Sequence, residues 1–316
     1  MKTSFVLKKS PRVFLDICLA WILSLWSGLA DAQDVYSIWE GTMPNSRGIQ
    51  MTDSIYNHRA YRVASPRLYA YETSSSANTG AAVLIVPSGG FSHLTLENSG
   101  TQLAKWFNTM GVTAFVLLHR LPQSPDVLEP YKVPLQDAQR ALRWIRAHAS
   151  RWGIDVHKVG AMGCSAGGYV AAGVSVLEED WSRVGDAYDT LSFRPDFTLL
   201  VSPVITMGEG THQGSRRALL GRRPDPQQVE YCSLQNRVQP TTPPAFLVHA
   251  SDDPAVSPMN SIAFFSALQV HRVAGCSLHV FPGGGHSIAL RNNPGSAAEW
   301  VVLAEEWLKE TGVIGK

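Results

Sequence analysis

Two side chains that can act as nucleophiles stand next to each other in the segment GAMGCSAGGYV, residues 160–170. Cys164 and Ser165 follow an apolar run and precede a stretch of small residues typical of a helix. In a tight strand-to-helix turn, the positions two before and two after the nucleophile must carry no bulky side chain. Glycines occupy both positions around Ser165, whereas a turn centred on Cys164 would place Met162 at one of them. The register therefore favours Ser165 as the reacting residue.

A serine hydroxyl needs a base, and the base needs an orienting acid, before the hydroxyl attacks at neutral pH. Downstream of the serine, the segments HASDDPAVS (249–257) and FPGGGHSIAL (281–290) each place candidates directly after an apolar strand. Open parallel sheets build their sites at the carboxyl ends of strands. We therefore predict His286 as the base, and Asp252 and Asp253 are both candidates for the acid.

The negative charge that develops on an attacked carbonyl oxygen needs backbone N–H donors. Ala166 is one predicted donor, because it directly follows the serine at the start of the helix. The second donor is expected in the loop PSGGF, residues 87–91, which follows an early apolar strand and whose two glycines permit a close backbone approach. Gly90 and Phe91 are both candidates, and the residues themselves do not decide between them.

The elements that must position these residues alternate along the chain between apolar strand-like runs and helical patterns. In the clearest helix, apolar residues recur at steps of three and four, and arginines 140, 143 and 146 lie largely off that stripe. Strands are expected at 81–86, 112–120, 157–162, 197–205, 245–251 and 277–283, and helices at 97–110, 135–149, 166–177, 259–271 and 296–310. This alternation predicts an α/β fold, with a mostly parallel central sheet covered by helices on both faces.

The domain organisation follows from the same pattern. The chain has 316 residues, of which 45% are hydrophobic, and this is enough for one large core. No linker divides the alternation, so we expect a single domain over 33–316. Residues 206–243, rich in Gly, Arg and Pro, interrupt the pattern and are expected to form an insertion over one end of the sheet.

The first residues have the features of a targeting segment. A lysine- and arginine-containing start precedes an apolar stretch over about residues 13–29, and the Ala-Asp-Ala at 30–32 fits the pattern of a cleavage site. We predict that residues 1–32 are a signal peptide and that the mature protein is periplasmic or secreted, with no stable membrane insertion after cleavage. The alternative is an uncleaved membrane anchor, for which the stretch is short.

Composition narrows the classes of partner. A formal net charge of +1 without a long basic run argues against a nucleic-acid surface. The histidines, cysteines and glutamates have no close spacing that would predict a zinc site, so we expect no metal. Removal of the leader leaves Cys164, Cys232 and Cys276. In an oxidising compartment, Cys232–Cys276 is the pair whose bridge would leave the 160–170 turn untouched, and three free thiols are equally compatible with the sequence.

Longer motifs then make a family recognisable. Among them are PSGGFSHLTLENSG, AFVLLHRLP, VGAMGCSAGGYVAA, GSRRALLG, TPPAFLVHASDDPAV and FPGGGHSIAL. From about residue 80 to 310, the chain resembles exported α/β-hydrolases of the acetyl-xylan and feruloyl esterase-like (BD-FAE-like) group, which are related to prolyl-oligopeptidase-type serine hydrolases. The resemblance implies an α/β-hydrolase fold, Ser165, Asp253 and His286 as a catalytic triad, and the loop at 89–91 beside the oxyanion hole.

The sequence departs from the group at a few positions. Ser88 stands where a third glycine is usual, and Cys164 stands where Phe is frequent, which would leave room beside the turn. Glu97, in LTLENSG, matches a glutamate common in the group. It is a candidate anchor for the 89–91 loop, or equally a carboxylate that favours a helix N-terminus.

The resemblance implies an exported serine hydrolase that cleaves carboxylic esters and uses no cofactor. Its substrate would be an ester-bearing small molecule or polysaccharide, with acetyl or feruloyl groups on plant-type xylan as the expected class. Three alternatives remain at this stage: a serine peptidase of the prolyl-oligopeptidase type, a non-catalytic carbohydrate-binding protein on a hydrolase scaffold, and a cysteine hydrolase that uses Cys164.

Overall fold

The computed structural model of the protein describes Met1 and residues 34–41, 43–288, 290 and 293–315. The chain divides into two compact units, Met1–Asp34 and Val35–Lys316. Almost all of the first unit, including nearly all of the predicted signal peptide, lies outside the described residues. Within the parts that are described, no helix is both long enough and apolar enough to cross a membrane.

The second unit contains eleven described strands: β1 (Val35–Ser37), β2 (Ser54–Tyr56), β3 (Arg59–Arg62), β4 (Arg67–Tyr71), β5 (Ala82–Val86), β6 (Leu94–Thr95), β7 (Thr113–Leu118), β8 (Val159–Cys164), β9 (Thr198–Val201), β10 (Ala245–Ala250) and β11 (Ser277–Phe281). Eight of them form a sheet at the centre of the unit, in the order β1-β4-β7-β5-β8-β9-β10-β11. Every pair from β7 to β11 in that order is parallel, and β1 and β4 add antiparallel pairs at one edge. A small antiparallel sheet has the order β2-β3-β6.

Helices connect the parallel strands in the order that the sequence predicts. They are α1 (Gln102–Thr109), α2 (Val133–Ala147), α3 (Ala166–Val176), α4 (Gln213–Leu220), α5 (Pro226–Tyr231), α6 (Met259–Val270) and α7 (Trp300–Glu310). A π-helical turn, Glu97–Thr101, leads into α1, and short 3-10 helices lie at Ala149–Trp152, Ala187–Thr190, Leu234–Arg237 and Gly295–Glu299. The predicted insertion at 206–243 contains α4, α5 and one of these 3-10 helices.

The middle strands of the central sheet, β7, β5, β8, β9 and β10, are buried on both faces, and strand β5 shows how. Ala82, Leu84 and Val86 face a core that also includes side chains of α2, α3 and α6. Val83 and Ile85 face the opposite core, formed with α1 and α7. A strand whose two faces are both covered must be apolar throughout, which is why its sequence reads as a continuous hydrophobic run. The predicted α/β-hydrolase fold, with a mostly parallel sheet and helices on both faces, is confirmed.

The arginines of α2 that lie off its apolar stripe do not face solvent, although an amphipathic pattern predicts that they do. Arg140, Arg143 and Arg146 have exposed fractions of 1%, 3% and 7%. They form ion pairs with Asp186, Asp180 and Asp196, respectively. These aspartates lie in the segment between α3 and β9, which covers the charged face of α2. Periodicity identified the helix but not the segment that packs over its polar side.

Candidate active site

The turn between β8 and α3 holds Ser165 in a strained conformation. Its φ is 56° and its ψ is −120°, a region that non-glycine residues rarely occupy without support from their surroundings. The backbone is packed so tightly that an ideal Cβ on Gly163 would lie 2.1 Å from the Gly167 carbonyl oxygen, and one on Gly167 would lie 2.1 Å from that of Val86. Both positions therefore require glycine, as the register around Ser165 predicts.

The structure brings the three predicted residues together from three strand ends. His286 Nε2 lies 2.8 Å from Ser165 Oγ, and His286 Nδ1 lies 2.8 Å from Asp253 Oδ2. Because a carboxylate only accepts hydrogen bonds, Nδ1 carries the proton that faces Asp253, and Nε2 is left to accept the serine hydroxyl proton. The Asp253 side chain is fully buried, while that of His286 is 25% exposed. This geometry allows His286 to take a proton from Ser165.

Asp253 is held as a carboxylate by four donors. Burial by itself would raise the pKa of Asp253, but hydrogen bonds outweigh it and hold the pKa well below its ordinary value. Oδ2 accepts from His286 and, at 3.2 Å, from His249 Nε2. Oδ1 accepts from the N–H groups of Ala255 at 2.8 Å and Val256 at 2.9 Å. The negative charge that orients the imidazole is therefore fixed in place.

His249 supports this carboxylate from the end of β10. Its Nδ1 lies 2.8 Å from Ser261 Oγ on α6, and its Nε2 lies 3.0 Å from the Val256 carbonyl oxygen as well as near Asp253. A carbonyl oxygen and a carboxylate both require a donor, so Nε2 carries the hydrogen. The sequence analysis did not identify His249 as a site residue. The sequence feature that could have identified it is its position four residues before Asp253, at the end of the same apolar strand.

Asp252, the other candidate acid, has a different partner. Its Oδ1 accepts the N–H of Gly285 at 2.8 Å, and the residue is exposed. The bond ties the end of β10 to the loop that carries His286, without reaching the imidazole. The two neighbouring carboxylates thus have separate positions: Asp253 faces His286, and Asp252 holds the backbone beside it.

The three predicted oxyanion residues, Gly90, Phe91 and Ala166, have different surroundings. Ser165, Gly90 and His286 line one cavity of about 410 Å³. Ala166 begins α3, where N–H groups have no partner in the preceding turn of the helix. The Phe91 side chain is buried and packs edge-to-face on Tyr169, with ring centroids 6.0 Å apart. Phe91 thereby anchors the loop, and either its N–H or that of Gly90 remains a predicted donor.

Ser99 anchors this loop, and the sequence analysis missed it. The Ser88 N–H donates to Ser99 Oγ at 2.9 Å, and Ser99 Oγ donates to the Thr95 carbonyl oxygen at 2.8 Å. Glu97, the residue that we considered as an anchor, is instead exposed and lies 3.7 Å from His58 Nε2. It begins the π-helical turn, in keeping with the alternative interpretation as a carboxylate at a helix start.

Cys164 lies beside Ser165 on the other side of the turn. It lines a second cavity of about 300 Å³ together with Leu103, Val201 and Trp300. Burial raises the pKa of the Cys164 thiol to about 12, so the thiolate needed for nucleophilic attack is scarce at neutral pH. Cys232 and Cys276 are also free thiols; the possible Cys232–Cys276 bridge is not formed.

His212 comes from the insertion and reaches the same cavity as Ser165. Its Nδ1 accepts the N–H of Ser215 at 3.2 Å and lies 2.8 Å from Ser215 Oγ, so its hydrogen resides on Nε2. Burial lowers the pKa of His212, and the nearby His286 lowers it further. An ideal Cβ on Gly90 would lie 3.7 Å from its ring. His212 was not predicted from the sequence, because no local pattern shows how the insertion folds toward Ser165.

The chain is similar to known proteins over most of its length. The BD-FAE family model matches residues 68–268. The acetylxylan esterase of Xylanibacter ruminicola is 35% identical over 241 residues, which are 74% of this chain and 45% of that protein. Endo-1,4-beta-xylanase B of Butyrivibrio fibrisolvens is 34% identical over 238 residues, or 75% of this chain and 37% of that protein. The chain thus spans less than half the length of these two curated relatives.

A solved structure is similar along its whole length. The acetyl ester-xyloside bifunctional hydrolase from Caldicellulosiruptor lactoaceticus has a TM-score of 0.75 and 35% sequence identity, and the match covers 91% of this chain and all of that one. The family match covers more than half of the chain and agrees with the fold. The chain therefore belongs to the BD-FAE family of α/β-hydrolases.

Proposed function

We propose that the protein is a serine hydrolase that cleaves carboxylic esters at Ser165. The observation that carries the proposal is the continuous chain of hydrogen bonds from Ser165 through His286 to the buried Asp253, with both contacts at 2.8 Å. A serine becomes nucleophilic when a neutral imidazole can take its proton and a carboxylate stabilises the imidazolium that results. The raised pKa of Cys164 argues against the alternative cysteine mechanism.

The reaction proceeds in two halves. Ser165 Oγ bonds to the ester carbonyl carbon while its proton passes to His286 Nε2, and N–H groups of Ala166 and of Gly90 or Phe91 stabilise the oxyanion. Collapse breaks the bond to the alcohol oxygen, which leaves with the proton from His286. Water then attacks the acyl-enzyme, gives a proton to His286, and releases the carboxylic acid as the proton returns to Ser165. No cofactor is required.

The proposed substrates are acetyl or feruloyl esters on xylan-type polysaccharide. The relatives support this class, because their names describe an acetylxylan esterase, a xylanase and an acetyl ester-xyloside hydrolase. Two cavities, of about 410 and 300 Å³, meet at Ser165, so the acyl group and the alcohol can occupy separate sides of the serine. We further propose that residues 1–32 are removed during export, which leaves 33–316 as a single hydrolase domain.

A panel of substrates tests the proposed function. Wild type, Ser165→Ala and Cys164→Ala are compared on p-nitrophenyl acetate, acetylated xylan, methyl ferulate and a peptide nitroanilide. We expect wild type and Cys164→Ala to release acetate from both acetyl esters, and Ser165→Ala to lose about 10⁴-fold or more in kcat. Activity that survives in Ser165→Ala but not in Cys164→Ala would establish the cysteine mechanism, and preferential cleavage of the nitroanilide would establish a peptidase.

A further inference from the structure

Three aromatic rings form a stack on the small sheet, outside the catalytic residues. Tyr56 and Tyr61 have ring centroids 4.5 Å apart and an interplanar angle of 16°, and Tyr61 and His93 have centroids 5.5 Å apart at 29°. We call these three side chains the aromatic platform. Aromatic rings stacked in this way present a broad apolar face to whatever lies against the outermost ring.

The platform lies on the outward face of the small sheet. Ala60 of β3 and Leu94 of β6 are register partners and are buried in a separate small core with Leu118 and Leu121. Because side chains alternate along a strand, Tyr61 projects to the opposite face from Ala60. Tyr56, at the end of the sheet, is 56% exposed. The fold therefore leaves the outer face of Tyr56 exposed, while Tyr61 is half-buried and stacks between Tyr56 and His93.

A groove connects the platform to Ser165. Tyr61 lines a cavity of about 410 Å³ together with Ser92, Gln123 and Ser124. Ser92 and Gln123 also line the cavity that contains Ser165 and His286. The two cavities are thus neighbours with a shared wall of polar side chains, and Ser92 and Gln123 are exposed, as an open groove requires.

The platform also touches the oxyanion loop. An ideal Cβ on Gly89 would lie 3.2 Å from His93 Cδ2, and the Ser92 Oγ lies 3.0 Å from His93 Nδ1. Burial lowers the pKa of His93, and Arg59 lowers it further. The innermost ring of the stack therefore packs directly against the loop beside Ser165, so that a ligand on the platform would lie on a path that leads to the reacting ester.

We propose that the aromatic platform and its groove bind unmodified pyranose rings of a xylan-type chain, next to the sugar whose ester is at Ser165. Pyranose rings have apolar C–H faces that pack on tyrosine rings, and their hydroxyl groups match the hydroxyl and amide side chains of Ser92, Gln123 and Ser124. This inference rests on the proposed ester hydrolysis and adds to it a subsite for the polysaccharide backbone.

The position of the platform favours a sugar chain over an aromatic acyl group. A feruloyl ester has one aromatic ring close to its carbonyl carbon, and the cavity beside Cys164 already adjoins Ser165. The platform, in contrast, is separated from the serine by the groove walls at Ser92 and Gln123. A substrate that occupies both cavities must extend beyond the reacting ester, and a polysaccharide does so.

Substrates of different length test this subsite. Tyr56→Ala and Tyr61→Ala are compared with wild type on p-nitrophenyl acetate, on methyl ferulate and on acetylated xylo-oligosaccharides from disaccharide to hexasaccharide. Tyr61→Phe keeps the ring, and Tyr188→Ala removes a half-buried tyrosine that packs against His148 near the end of α2. We expect each platform variant to lower kcat/KM for the hexasaccharide about fivefold, mainly through KM, and to leave p-nitrophenyl acetate within about twofold of wild type. Tyr61→Phe and Tyr188→Ala should behave like wild type on both.

A binding measurement separates this inference from the chemistry. In a Ser165→Ala background, calorimetry with unacetylated xylohexaose should show binding that Tyr56→Ala weakens. Unchanged hexasaccharide kinetics in both platform variants, an equal loss on p-nitrophenyl acetate, or a loss confined to methyl ferulate would each overturn the subsite. Wild-type turnover of p-nitrophenyl acetate that does not depend on Ser165 would instead overturn the proposed function itself.

Discussion

Two buried polar networks in this protein have opposite character. On the face of α2, the guanidinium of Arg143 donates to Asp180, Ser182 and the carbonyl oxygens of Asp189 and Leu191. Its donors are saturated by protein groups. At the other network, the chain of hydrogen bonds from Asp253 through His286 ends on Ser165 Oγ, which faces an open cavity.

The difference between the two shows what a buried polar group needs for chemistry. A saturated network stabilises the fold and nothing more, because all of its donors and acceptors are bound to other protein groups and none is available to a substrate. The network at Ser165 is held as firmly at the Asp253 end, where burial is complete, but it leaves a hydroxyl and an imidazole at the cavity wall.

Removal of the charge on Asp253 should disable the reaction without unfolding the protein. Asp253→Asn removes the negative charge that stabilises the imidazolium and favours the wrong tautomer of His286, so we expect kcat for p-nitrophenyl acetate to fall about 10³- to 10⁴-fold. Asp252→Asn is the matched control, since Asn can still accept the Gly285 N–H, and it should cost less than about fivefold. Similar losses in both variants would mean that the two carboxylates are not divided as described.

Removal of a saturated arginine should have the reverse effect. Arg143→Met leaves Asp180 without its main partner inside the protein, and we expect the free energy of unfolding to fall by about 3 kcal/mol in urea titrations. The kcat of the folded enzyme should stay within about twofold. Arg183→Met is the control, because Arg183 is 69% exposed and lies 3.8 Å from the same Asp180; an exposed pair contributes less than about 1 kcal/mol. A large loss of kcat in Arg143→Met would show that the two networks are coupled.

The low pKa of Asp253 also predicts how stability depends on pH. A carboxyl whose pKa is lower in the folded than in the unfolded protein stabilises the fold above its unfolded value of about 4, and this contribution is lost as the pH falls toward the folded value. The stability difference between wild type and Asp253→Asn should therefore be largest near neutral pH and shrink below about pH 4. Denaturant titrations of both proteins at several pH values measure it. A difference that grows on acidification would contradict the assignment.

His212 should have the smallest effect of the four. Its Nε2–H borders the cavity at Ser165 and can donate to an oxygen of the bound ester, so His212→Ala should raise KM about fivefold and leave kcat within about twofold. His212→Gln, which keeps an N–H donor, should recover part of the affinity. His157→Ala, at an exposed histidine, serves as the control. A fall in kcat as large as that of Asp253→Asn would place His212 in the catalytic machinery instead.

The sequence predicted the parts of the fold that have long, simple patterns. The strands from β5 to β11 that belong to the central sheet and the helices α1, α2, α3, α6 and α7 were identifiable, because the strands are short apolar runs and the helices are longer segments with apolar residues at helical spacing or throughout. Strands β1 to β4 and β6 were missed, since they have only two to five residues and mixed polarity. Their strand geometry comes from pairing with other segments, which no local pattern records.

The same division applies to the site. Ser165 could be predicted because the glycines around it reflect the steric demand of a tight turn. His286 could be predicted because it follows an apolar strand in the expected order along the chain. His249, Ser99 and His212 were not, because each acts through a partner that folding brings near. Asp252 and Asp253 are adjacent carboxylates, and only the one whose side chain points toward the imidazole can orient it. Their order in the sequence does not show which of the two points that way.

The most direct test of the account is to identify the residue that forms a covalent bond with an acylating or phosphorylating reagent. Wild type, Cys164→Ala and Asp253→Asn are treated with paraoxon and analysed by intact-mass and peptide mass spectrometry. We expect one diethylphosphoryl group per chain on Ser165 in wild type and Cys164→Ala, and about 10³-fold slower labelling in Asp253→Asn. Labelling of Cys164 or of another residue, or equally fast labelling of Asp253→Asn, would contradict the activation of Ser165 by His286 and Asp253.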